Sequence, residues 1–90
     1  MRLTVKYMAQ LKQAAGAPQE ILDLKAECSA QAALQALASR HGEPLRRLLF
    51  DARGSVHPAI LLFVGEEQVT ADRLLRDGDV LTLLAPMAGG

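Results

Sequence analysis

Two short stretches of this chain, residues 59–64 and 80–84, are apolar at almost every position. Runs this short, bounded by Pro58 and Gly65 on one side and by the Asp77-Gly78-Asp79 turn on the other, have the length of strands rather than helices. A strand sends alternate side chains to opposite faces. Ile60, Leu62 and Val64 therefore oppose Leu61 and Phe63, and Val80 and Leu84 oppose Leu81 and Leu83. A sheet that contains both runs is apolar on two faces, and a chain of 90 residues has to find cover for both.

The remaining elements show how much cover is to hand. Leu3, Val5 and Tyr7 alternate with Arg2, Thr4 and Lys6, the period of a strand with one buried and one wet face. After the Gly16-Ala17-Pro18 break, residues 21–25 read as a second strand, with 12–17 as the hairpin loop between them. Ser29 can cap a helix in which Ala30, Ala33, Leu34, Leu37 and His41 fall on one face, and Gly42 permits its left-handed stop. Pro44 suits a first helical position, giving a short second helix over 44–50. Gly65-Glu66-Glu67 turns the apolar third strand into a brief one around Gln68-Val69-Thr70, and residues 80–84 form the last.

The order predicts an α+β domain with a mixed sheet of four to five strands, one main helix across one face and a short second helix. The domain spans 1–84, and 85–90 form a flexible C-terminal tail ending in Gly-Gly. One helix cannot cover every apolar position. Two readings of the second face stand open: a loop or the short helix lies over part of it, or it is the docking surface of a partner protein.

Composition excludes several function classes. Ten Lys and Arg balance ten Asp and Glu, so the clustered positive charge that nucleic acid or an anionic membrane requires is missing. With no Trp, two isolated His and one Cys, the raw material for base stacking or a metal site is absent as well. No apolar run approaches the roughly 20 residues of a membrane span. The single Cys28 rules out an internal disulfide, and the early charges Arg2 and Lys6 do not fit a signal peptide, so a cytoplasmic protein is expected. Cys28 reads as an incidental thiol, His41 as a favourable charge at a helix C-terminus, His57 as a loop residue and Arg46-Arg47 as a solvated face. No paired acids or phosphate-binding Gly-Lys motif suggest catalysis.

The tail carries the most chemistry. After Leu84 the chain reads Ala85-Pro86-Met87-Ala88-Gly89-Gly90. Pro86 ends regular pairing, six extended residues reach at most about 20 Å, and two glycines let the backbone pass a narrow channel and leave the Gly90 carbonyl open to attack.

Val5-Lys6-Tyr7-Met8-Ala9-Gln10-Leu11 with Gly16, and Leu75-Arg76-Asp77-Gly78-Asp79-Val80 running into Pro86-Met87-Ala88-Gly89-Gly90, make the chain resemble the ubiquitin-like, β-grasp sulfur carriers. Within them it is most similar to the small subunit of molybdopterin synthase. The departures, Ala85 for a frequent proline and Gln68 at a position that is apolar in some members, bear on which partner is served.

The resemblance implies a carrier that is no enzyme by itself and binds no cofactor. An E1-like adenylating enzyme uses ATP to join AMP to the Gly90 carboxylate, and sulfur from a donor protein displaces the AMP to leave a thiocarboxylate. Gly89 gives the tail access. The acceptor is then the large subunit of molybdopterin synthase, and Met8, Leu84, Pro86, Met87 and Ala88 contact partners. The same tail and fold also suit a carrier for cysteine or thiamin biosynthesis, or a ubiquitin-like modifier of lysines; the extra segment 45–58 speaks against the thiamin carriers.

Overall fold

The structure, a computed structural model, describes residues 1–85. Its elements run β1 (Arg2–Met8), α1 (Gln10–Ala15), β2 (Gln19–Asp23), α2 (Ala30–His41), α3 (Leu45–Leu49), β3 (Leu61–Val64), β4 (Glu67–Val69) and β5 (Val80–Leu84). The sheet order is β2-β1-β5-β3-β4. The two strands at its centre, β1 and β5, run parallel, with Thr4 opposite Val80 and Met8 opposite Leu84, and the other pairs are antiparallel. This is the mixed sheet of a β-grasp domain, with the first and last strands of the chain side by side.

The core follows from the strand alternation. Leu3, Val5 and Tyr7 from β1, Leu81 and Leu83 from β5 and Leu62 from β3 are at most 3% exposed. They meet Ala33, Leu34 and Leu37 of α2, Leu45 and Leu49 of α3, and Leu11 of α1 in a single cluster. Ser29 caps α2 as expected, its Oγ accepting from the Ala32 N–H at 3.2 Å. Gly65, at φ +61°, opens the two-residue turn between β3 and β4, a conformation that a side chain would strain.

Five expectations need correction. Residues 12–17 are not a hairpin loop: α1 occupies most of that segment, because burying Leu11 rewards a helical turn that the polar sequence does not announce. The second strand lies at 19–23 rather than 21–25, since β1 pairs from Lys6↔Gln19 to Arg2↔Asp23. Regular pairing in the third strand starts only at Leu61, because residues 58–60 form the turn that delivers it, with the Ile60 N–H donating to the His57 carbonyl. Pro44 stands at the cap of α3 rather than inside it. Ala85, the first residue of the expected tail, is 5% exposed and belongs to the core cluster.

Candidate functional site

The second sheet face is where the structure leaves apolar side chains outside the core. Because Leu3, Val5, Tyr7, Leu81, Leu83 and Leu62 point inward, Met8, Val80, Thr82, Leu84, Leu61 and Phe63 point the other way. Leu84 is flanked in register by Met8 on β1 and Leu61 on β3, and Phe63 lies one row along, opposite Thr82. Met8 is 48% exposed, while Leu84, Leu61 and Phe63 are partly exposed and none of them packs against the core cluster. The buried side chains of all three helices, Ala38 apart, join the one cluster on the inner face. Among the described residues, the short helix α3 therefore does not supply the cover for the second face.

The patch has a definite position. β5 and β1 are parallel, so Leu84 and Met8 both lie at the strand ends from which the chain passes through Ala85 towards 86–90. Two of the expected contact residues, Met8 and Leu84, thus sit side by side. The expected site residues Pro86, Met87, Ala88, Gly89 and Gly90 lie outside the described residues. Leu61 and Phe63 complete the patch and were not singled out as contacts from the sequence, although the alternation of β3 already placed them opposite Leu62. Polar Lys6, Thr82 and Gln68 border it, which matches the apolar centre and polar rim of a protein interface.

The cleft of about 540 Å³ beside α3 is lined by Glu43, Arg46, Arg47, Phe50 and Asp51 and includes none of the expected site residues. Among the described residues there is no grouping of three His, Cys, Asp or Glu side chains fit for a metal, and no helix is long and apolar enough to cross a membrane. Burial pushes the Cys28 thiol up, away from the thiolate that a sulfur relay would need.

One polar cluster was invisible to sequence reasoning. Glu20 on β2 accepts from Tyr7 Oη at 2.5 Å, from an Arg40 guanidinium nitrogen at 2.7 Å and from His41 Nε2 at 2.6 Å. His41 is therefore more than a charge at the end of α2; it fastens that end to the sheet. Burial alone pushes the Glu20 carboxyl up, but the hydrogen bonds from Tyr7, Arg40 and His41 together outweigh it and hold the group below its ordinary value. Burial, reinforced by Glu20, raises the Tyr7 hydroxyl far above its ordinary value, so it stays a donor.

Comparison with known proteins decides the family. The model of the ThiS family matches residues 5–90, nearly the whole chain. This chain belongs to the ThiS family. Its membership agrees with the resemblance to ubiquitin-like sulfur carriers carried by the two ends of the sequence. No curated protein matches the chain. Among solved structures, SAMP1 from Haloferax volcanii is 26% identical over 100% of both chains, with a TM-score of 0.90. CysO of Amycolatopsis orientalis, solved in complex with BexX, is 26% identical over 98% of this chain and 99% of its own, with a TM-score of 0.70. A Pyrococcus furiosus protein proposed as molybdopterin converting factor, subunit 1, is 24% identical over 97% and 99%, with a TM-score of 0.78, and shares the fold.

Proposed function

We propose that this ThiS-family chain carries sulfur on the carboxyl group of Gly90 and delivers it to an acceptor enzyme, most specifically the large subunit of molybdopterin synthase. The observation that supports this reading is the apolar patch of exposed Met8 with partly exposed Leu84, Leu61 and Phe63, beside the point where β5 leads towards the Gly-Gly end of the sequence. A carboxylate is a poor electrophile. An E1-like enzyme would transfer AMP from ATP to the Gly90 carboxylate, releasing pyrophosphate, and sulfide-level sulfur handed over by a donor protein would attack the acyl carbon and expel AMP. The resulting thiocarboxylate is nucleophilic at neutral pH, and the acceptor supplies proximity by holding the tail next to its substrate. The carrier supplies recognition; chemistry belongs to its partners.

Two further readings have a specific observation behind them. Likeness to CysO, solved with a partner, supports a carrier for cysteine-type synthesis, and likeness to the modifier SAMP1 supports conjugation of Gly90 to lysines. Top-down mass spectrometry of the protein made with its own host's sulfur machinery separates the classes. Exchange of one oxygen for sulfur confined to the last two residues is the expected result; fragmentation is needed because oxidation of Met1, Met8 or Met87 adds nearly the same mass. An unmodified Gly90 alongside lysine-linked conjugates would replace the carrier with a modifier. Co-purification with a molybdopterin synthase large subunit is the expected result for the acceptor, and its absence beside a different sulfur acceptor would redirect the pathway.

A further inference from the structure

β2 is an edge strand of the sheet, with no strand beside its outer side among the described residues. The Met1 amine donates to the Leu24 carbonyl at 2.7 Å, and the Leu24 N–H returns the bond to Met1 at 2.8 Å. In an antiparallel pair such doubly bonded positions alternate, so Leu22 and Glu20 also face β1, in step with the Tyr7 N–H bonded to Pro18. Gln19, Ile21 and Asp23 must then turn their backbone N–H and C=O groups away from the sheet. Ile21 lies at the middle of this edge and its side chain is 47% exposed. An open edge with an exposed apolar residue is a template for another strand. At its centre, however, an Arg40 guanidinium nitrogen donates to the Ile21 carbonyl at 3.0 Å while the same nitrogen holds Glu20 at 2.7 Å. The opposite edge of the sheet, β4, has only three residues and offers no comparable length.

We propose that the β2 edge is a pairing surface for a second copy of this chain, held closed by Arg40. The edge is self-complementary. A two-fold axis through Ile21 lets each Ile21 exchange both backbone bonds with its counterpart, and sets Gln19 of one copy against Asp23 of the other, an amide facing a carboxylate, on both sides of the axis. Arg2 already neutralises Asp23 at 2.8 Å, so the pairing brings no uncompensated carboxylates together. Arg40 competes directly, because the acceptor it occupies is the one the central pair needs. Pairing at the β2 edge is independent of what Gly90 carries.

Sedimentation velocity of the full chain over a concentration series, with amide hydrogen exchange followed by NMR, provides the test. Wild type is expected to keep the mass of its 9.7 kDa monomer. Arg40→Ala is expected to move towards twice that mass with rising concentration, with the Ile21 and Asp23 amides exchanging about tenfold more slowly in the dimer. Adding Ile21→Lys, which sets like charges across the two-fold, should return it to monomer. Arg40→Gln, too short to reach both acceptors, gives the same readout should Arg40→Ala not fold. A native but monomeric Arg40 variant would overturn the proposal, as would a dimer that survives Ile21→Lys or one protected at a different surface.

Discussion

His41 Nε2 lies 2.6 Å from Glu20 Oε2, joining the last residue of α2 to the second residue of β2 across 21 positions of sequence. An ionised carboxylate only accepts, so the ring nitrogen donates, as do Tyr7 and Arg40 to the same group. The folded-state value of Glu20 is depressed. Its contribution to stability is therefore complete above the ordinary value of 4.5 and is lost as the pH falls through the folded value. Thermal unfolding monitored by circular dichroism should show wild type losing stability below that point, with a shallower acid slope in Glu20→Gln. At neutral pH Glu20→Gln should cost about 1–3 kcal/mol, because three donors lose a charged acceptor. Equal acid slopes in the two proteins would place the linkage elsewhere.

Neighbouring residues of β5 should respond in opposite ways to the same change. Leu84 is partly exposed and outside the core cluster, whereas Leu83 is fully buried within it. Leu84→Glu is expected to shift stability by less than about 1 kcal/mol while weakening capture of the acceptor at least tenfold in calorimetric titration. Leu83→Glu buries a charge without a partner and should unfold the domain. Loss of folding in Leu84→Glu would contradict the assignment of its face.

The strand pattern alone makes these two faces legible, because alternation reports direction as soon as a strand is recognised. α2 was legible for a similar reason: Ser29, the spacing of Ala33, Leu34 and Leu37, and Gly42 all point to the same helix. α1 was not. Its single buried residue, Leu11, shows no period, and an isolated six-residue helix has too few bonds to repay nucleation without tertiary contact. The Glu20 cluster was out of reach because its members come from three elements, brought together only by the β1–β2 register and the packing of α2. Family resemblance pointed to Met8 and Leu84 of the apolar patch; Leu61 and Phe63 join them only once the helices are known to share the other face.

Ala9 joins β1 to α1 at φ +54° and ψ −130°, a region almost reserved for glycine. The preceding Met8 belongs to the apolar patch of the outer sheet face, so the strain lies at its margin. Ala9→Gly should release about 1–3 kcal/mol of strain and return up to about 1 kcal/mol through the larger entropy of its unfolded chain. A modest net gain in the urea midpoint is expected, with an unchanged slope. Ala9→Val should be clearly destabilising. A loss of stability in Ala9→Gly would show that the backbone at this corner carries no strain worth relieving.

Deleting Gly89 and Gly90 should separate folding from function. The buried cluster of the described residues reaches Ala85, and Gly89 and Gly90 carry no side chain that could add to it. The truncated protein is therefore expected to keep its unfolding temperature to within about 1–2 °C, since a shift of 1 kcal/mol would move it by roughly 4–8 °C. The reacting carboxyl group, by contrast, would be moved to Ala88, two residues short of the reach that adenylation needs, and would carry a methyl side chain into a channel suited to glycine. Pyrophosphate release by the cognate activating enzyme should fall to background, while the truncated chain still competes with wild type for that enzyme through the Met8 and Leu84 patch. Retained adenylation would remove Gly90 from its proposed role. Lost competition would show that the enzyme recognises the tail rather than the sheet.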